Sequence, residues 1–387
     1  MRAVSQPHAT HVLRRDGSVT GIELFFDLVY VFAVTQLSHL LVRHTSVVGA
    51  TETAVLLAMV WQVWVYTTWV TNYLDPNHIP MRVLLVVLML GSLVMATALP
   101  RAFEDRGVVV AVTYLAMQLG RAVFAIVALR GEPLQRTFQR VFVWSTASGI
   151  VVLCGLLVAG EARAGLWALA IAIDLVGAAI GFPVPVLGRS VTADWTISGG
   201  HFAERCQAFV LIALGESIVV TGSTFADLEH PSGAQVTAFV VAFASSLALW
   251  WIYFDRAAED STRVIAESDD PGRLGRNAFH WVHPLIIAGI IVAAAADDHV
   301  LAEPEAHGVM ATAWLVLGSV VLYLGGHAAF KAIVWHVVSW PRIVGLVVLL
   351  ALFALAPHVT ALTLAIAALA VVVAVAVADR VQHPPPA

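Results

Sequence analysis

GIELFFDLVYVFAVTQLSHLL, Gly21 to Leu41, is long and apolar enough to cross a bilayer, yet it carries Glu23 and Asp27 one helical turn apart and His39 near its far end. An ionised carboxylate in hydrocarbon costs about 2.5 kcal/mol or more unless it is paired, hydrated or protonated. The two acids therefore need a structural or functional use that offsets this cost.

The rest of the chain has the same character. Hydrophobic residues make up 59% of the 387 positions and charged residues only 12%, against roughly 25% charged in a soluble domain. The polar surface needed to cover a soluble fold is missing, and the expected class is an all-α, polytopic integral membrane protein. Its environment supplies one set of partners, the membrane lipids. The net charge of −5 is spread along the chain, so the sequence has neither a nucleic-acid footprint nor a polybasic lipid patch. Cys154 and Cys206 both fall in apolar runs and are expected to be small buried hydrophobes and not a disulfide framework. The polar first twenty residues lead into an apolar run too long for a signal-peptide core, so that run is expected to stay as a membrane helix.

Spanning the hydrocarbon takes about 20 residues. On that criterion twelve spans are expected, near 22–42, 53–73, 82–99, 108–129, 141–159, 165–187, 204–222, 235–254, 279–296, 309–330, 341–356 and 360–378. At Ala356-Pro357-His358 one re-entrant segment is the competing arrangement to the last pair of spans. With the N-terminus in the cytoplasm, 16 of the 21 basic residues fall on inner segments and 4 on outer ones, leaving Arg121 within a span. That bias is the positive-inside pattern for twelve spans with both termini cytoplasmic. Trp61, Trp69, Trp167, Trp195, Trp281 and Trp340 fall near span ends, where interfacial anchoring is expected.

Two local echoes point to duplication. Glu23-Leu24-Phe25 and Glu204-Arg205-Cys206 are offset by 181 residues, and Tyr73-Leu74-Asp75 and Tyr253-Phe254-Asp255 by 180. The organisation expected is a cytoplasmic tail 1–21, a first six-helix half 22–187, a cytoplasmic linker 188–203, a second half 204–378 and a disordered tail 379–387. Six spans per half make the repeats parallel.

Depth along the spans ranks the polar residues, at about 1.5 Å per residue. Glu23 and Glu204 sit at the starts of spans one and seven, where they serve either the helix dipole or a gate. Asp27 lies about 6 Å deeper than Glu23 on one face with Tyr30 and Ser38. Glu216, with Ser217 beside it, lies about 18 Å beyond Glu204, near the midplane. Asp174 of span six is comparably deep. Arg121, the lone deep basic residue, is expected to pair with Asp27 or Glu216, with Asp174 as the next candidate. Gln36 and His39 are expected to make interhelical hydrogen bonds.

His280 and His283 are one turn apart, with His327 at similar depth. No acidic or cysteine ligand accompanies them at a recognised spacing, so the expectation is a pH-sensitive gate near the cytoplasm and no metal. No Ser-His-Asp spacing, phosphate-binding loop, dinucleotide fingerprint or zinc-protease helix occurs. No catalytic residue and no cofactor is expected.

Glu23-Leu-Phe-Phe-Asp27-Leu-Val-Tyr-Val-Phe-Ala-Val-Thr-Gln36-Leu-Ser-His39, with Glu204-Arg205 and Leu214-Gly215-Glu216-Ser217, resembles the bacterial low-temperature-requirement A (LtrA) family. The resemblance implies a multi-pass protein of the bacterial inner membrane. Phe25-Phe26-Asp27 is more faintly similar to the Phe-Ser-Asp signature of two-repeat endolysosomal potassium channels, but Phe26 replaces the serine and span seven lacks the signature. The expected function is movement of an unknown small solute or ion, with proton coupling through Asp27 or Glu216. The pathway residues would be Glu23, Asp27, Gln36, His39, Arg121, Asp174, Glu204, Arg205, Glu216 and Ser217. The alternatives are a cation channel of two six-helix repeats and a membrane scaffold or enzyme.

Overall fold

A computed structural model describes residues 13–14, 17–191, 198–255, 264–265, 268 and 270–382. The remainder of the expected tails 1–21 and 379–387, of the linker 188–203 and of the polar loop after residue 255 lies outside the described residues, as does Trp195.

Backbone polar groups have no water to bind in hydrocarbon, so a chain this apolar satisfies them within helices. Among the described residues twelve helices, taken with the short 3₁₀ and π-helical segments continuous with them, are long and apolar enough to span a membrane, as the hydropathy predicts. They are α1 (Gly21–Arg43), α2 (Val47–Tyr73), α3 (Ile79–Ala98), α4 (Gly107–Ala128), α5 (Leu134–Cys154), α6 (Gly160–Ile180), α7 (Gly199–Ala226), α8 (Gly233–Phe254), α9 (His283–Ala302), α10 (Met310–Trp335), α11 (Trp340–Leu355) and α12 (Ala361–Gln382). Ala356-Pro357-His358 forms one 3₁₀ turn between α11 and α12, so the last pair is two helices, each long and apolar enough to span by length and composition.

Local chemistry sets the ends. Pro80 and Pro341 occupy the second positions of α3 and α11, where a missing N–H costs nothing. Ser232 and Gln235 form a reciprocal capping box at the start of α8, which satisfies two otherwise orphaned N–H groups. Gly181 ends α6 at φ 78°. A Cβ there would lie 2.2 Å from the Ser190 carbonyl, so glycine is required for both conformation and space. A π-helical segment, Arg276–Val282, leads into α9.

By contacts the chain falls into two compact units. One comprises Met1–Ala33, Val55–Arg205 and Asp269–Arg273; the other comprises Val34–Ala54, Cys206–Ser268 and Leu274–Ala387. These limits do not coincide with the sequence halves 22–187 and 204–378. In the first unit α3, α4, α5 and α6 pack as successive neighbours. In the second, α9 and α10 pack closely. Gly289 makes this approach possible, because a Cβ there would lie 2.8 Å from the Tyr323 backbone nitrogen. Small residues serve this purpose where lipid offers no hydrophobic drive for helix pairing. Trp61, Trp69 and Trp167 are buried and so are packing residues and not interfacial anchors. Trp340 is exposed, as an anchor requires.

Candidate functional site

Glu23 begins its work in the helix itself. Thr20 precedes α1, and its N–H and Oγ1 both donate to Glu23 Oε2 at 2.9 Å. A carboxylate three positions into a helix that reaches back to the N-cap amide is half of a capping box. One turn on, Asp27 points the same way, and both acids are 0% exposed.

Their partners come from α7, α2 and the segment before α1. Arg205 donates through Nε to Asp27 Oδ2 at 2.8 Å and through Nη2 to Asp27 Oδ1 at 2.5 Å, the two-pronged geometry that makes arginine the strongest carboxylate partner. Its Nη1 reaches Glu23 Oε1 at 3.2 Å and Thr71 Oγ1 at 3.3 Å. Trp64 Nε1 donates to Asp27 Oδ1 at 2.7 Å. The guanidinium carbon lies 5.7 Å from the ring centres of Phe26 and Trp64.

One helical turn before Arg205, His201 Nε2 lies 2.7 Å from Glu23 Oε1. Asn72 Nδ2 faces His201 Nδ1 at 3.1 Å and donates to the Ser198 carbonyl, while Asn72 Oδ1 accepts from Ser198 N–H at 2.9 Å. With Nδ1 accepting from Asn72, the imidazole proton sits on Nε2; of the two groups facing that nitrogen, Arg14 Nη1 at 3.0 Å and Glu23 Oε1 at 2.7 Å, only the carboxylate can accept, so the proton is donated to Glu23. Arg14 completes the group. It donates from Nη1 to Glu23 Oε1 at 3.0 Å and to the Thr71 carbonyl at 2.7 Å, and from Nη2 to Glu23 Oε2 at 3.2 Å. Two carboxylates face two guanidiniums and a neutral imidazole, so the cluster sums to zero charge.

This arrangement corrects the pairing expected for Arg121. Its Nη1 donates to the Val63 carbonyl at 3.0 Å and to Thr67 Oγ1 at 3.2 Å, and its Nη2 donates to Gln118 Oε1. It forms no salt bridge with Asp27 or Glu216 among the described residues. Asp27 already has Arg205. Asp174, the third candidate, is reached indirectly. Gln118 Nε2 donates to Tyr114 Oη at 3.1 Å, and Tyr114 Oη donates to Asp174 Oδ2 at 3.4 Å. Arg121→Gln should cost about 1–3 kcal/mol, the worth of buried hydrogen bonds left unmade. Thermal unfolding in detergent should show no rescue of that loss by Asp27→Asn, whereas rescue would restore the original pairing.

The other expected site residues separate. Glu204 is exposed while Arg205 is buried, because neighbours on a helix point about 100° apart. His39 is exposed and Gln36 half-buried, and neither makes a side-chain hydrogen bond among the described residues, contrary to expectation. In the second unit Glu216 is buried and accepts from Thr35 Oγ1. Ser217 is buried, with no hydrogen-bond partner for its Oγ among the described residues. His280, His283 and His327 are buried too. His283 and His327 lie edge-on to Tyr253 at 5.7 and 5.5 Å between ring centres, which is packing and not an exposed pH gate. Among the described residues no group of three or more His, Cys, Asp or Glu side chains is placed to hold a metal ion.

Sequence reasoning named Glu23, Asp27 and Arg205 but missed Arg14, Trp64, Thr71, Asn72 and His201. The spacing of His201 to Arg205 matches that of Glu23 to Asp27, four residues each. Two bases and two acids with the same helical spacing was the available signal.

The family model for bacterial low temperature requirement A protein (LtrA) matches residues 18–377. An uncharacterized protein of Rhizobium meliloti (strain 1021) is 36% identical over 357 residues, which cover 90% of this chain and 87% of that protein. No solved structure matches.

Proposed function

The chain belongs to the bacterial low-temperature-requirement A family, and from that premise we propose that it moves a small solute or ion across the bacterial inner membrane. The observation that carries this reading is Glu216. The residue is 6% exposed, lies well inside α7, and its carboxylate accepts a hydrogen bond from the Thr35 hydroxyl. It has no salt bridge among the described residues. A buried carboxylate without a fixed counter-charge is costly in a membrane and is kept where a proton or cation supplies that charge in passing. Asp27 is not equivalent, because Arg205 already neutralises it. Coupling therefore falls to Glu216.

The test is the purified protein in liposomes under an imposed proton gradient, screened for flux of cations and small metabolites. Gradient-driven or counterflow transport supports a carrier, and electrodiffusive current supports a channel. Flux no greater than in protein-free liposomes for every solute and for protons would defeat the reading.

The scaffold alternative draws on the charge cluster, where every acid is paired and sealed. On that alternative the cluster holds α1, α2 and α7 together and does not conduct. Orientation follows from the basic-residue bias. Reporter fusions after Asp16, within 259–267 and after Arg380 should report cytoplasm, and fusions at Asp227 and Glu305 should report the opposite side. A C-terminal reporter opposite to the N-terminal one would contradict an even number of crossings.

A further inference from the structure

Arg14 differs from every other charged member of the cluster in lying before α1 and not on a membrane helix. Its backbone is attached to the end of α2, with Arg14 N–H donating to the Tyr73 carbonyl at 2.8 Å and Leu13 bridged to Leu74. From there its guanidinium enters the cluster until the side chain is 5% exposed. The return to α1 is also closely applied: a Cβ on Gly17 would lie 3.7 Å from Ser198 Cβ, at the entry to α7.

We propose that this segment is a latch: an autoinhibitory contact in which Arg14 plugs the Glu23 end of α1, and whose release opens that end of the protein to water and cations. Charge and attachment both favour this. Without Arg14 the cluster keeps Glu23, Asp27 and Arg205 and carries one net negative charge, with Glu23 Oε1, Glu23 Oε2 and the Thr71 carbonyl losing the donor they share. That set of acceptors attracts a cation. Arg205 is carried on α7, whereas Arg14 sits on the short segment before α1 and leaves by giving up its attachment to the end of α2 and its side-chain bonds. The opening is local in the sense that few packed groups must separate.

The gating half of this proposal rests on the transport reading; the opening half does not, and the experiment separates them. A Ser198→Cys reporter, in a Cys154→Ala background with Cys206 buried, is labelled with a polar maleimide. Arg14→Gln should speed labelling at least tenfold, with Arg14→Lys in between. Equal rates would overturn the latch. If Arg14→Gln does not fold, the intact latch is tested by Gly17→Cys with Ser198→Cys, whose Cβ separation of 3.7 Å suits a disulfide. Oxidised protein in liposomes should pass protons, read by entrapped pyranine, at least tenfold more slowly than the same protein after reduction. Equal flux in the two states would overturn gating. Proton flux absent from parent and reduced protein alike would defeat proton movement as the transport reading, and the labelling ratio alone would then decide whether the latch opens.

Discussion

Arg205→Ala should be the most destabilising single change in the protein. It removes both bonds to Asp27 and the contact to Glu23, leaving Asp27 with Trp64 Nε1 as its remaining hydrogen bond among the described partners. Removing one partner of a buried pair costs about 3–5 kcal/mol, because the other charge stays buried without compensation. Folded yield and thermal unfolding in detergent should both fall. Arg205→Lys should recover only part, since an ammonium cannot make the two-pronged bond. Asp27→Asn placed in the Arg205→Ala chain should restore stability by removing the stranded charge, an interaction that a double-mutant cycle measures directly. Arg205→Ala as stable as the parent, or a double mutant no better than the single, would show that the pair does not bear this load.

That prediction differs from one made on sequence alone, and the difference has a physical source. The number of helices is legible because each span needs about 20 apolar residues, and the chain writes twelve such runs. Their starts are less legible. The seventh span is expected from residue 204 but begins at Gly199. Gly199-Gly200-His201 reads as a polar break, although a capped helix end tolerates such residues. Those extra residues bring His201 into register with Arg205.

Pairing is harder still. Hydropathy gives depth, and depth alone put Arg121 within reach of Asp27. It does not give the rotation of each helix about its axis, which turns Arg205 toward Asp27 and Glu204 outward. Arg14 was hidden for another reason. A basic residue before a first span is accounted for by topology, so nothing in the sequence asks for a second role.

Glu216→Gln should have the largest effect on activity. The amide keeps the size of the side chain and can still accept from Thr35 Oγ1, but it can neither bind a proton nor attract a cation as a carboxylate does. It also removes a charge that is expensive at this depth. Thermal stability in detergent should therefore equal or exceed that of the parent, while flux in liposomes falls to the level of protein-free vesicles. Asp27→Asn should do the reverse: it breaks a made ion pair, so stability falls, while flux per folded molecule is retained. The two acids thus separate on two axes that are measured independently. Parent-like flux from Glu216→Gln would remove Glu216 from the pathway. Loss of flux from Asp27→Asn at unchanged stability would return Asp27 to it, because a carboxylate locked by Arg205 cannot be both a fixed strut and a moving charge in the same cycle.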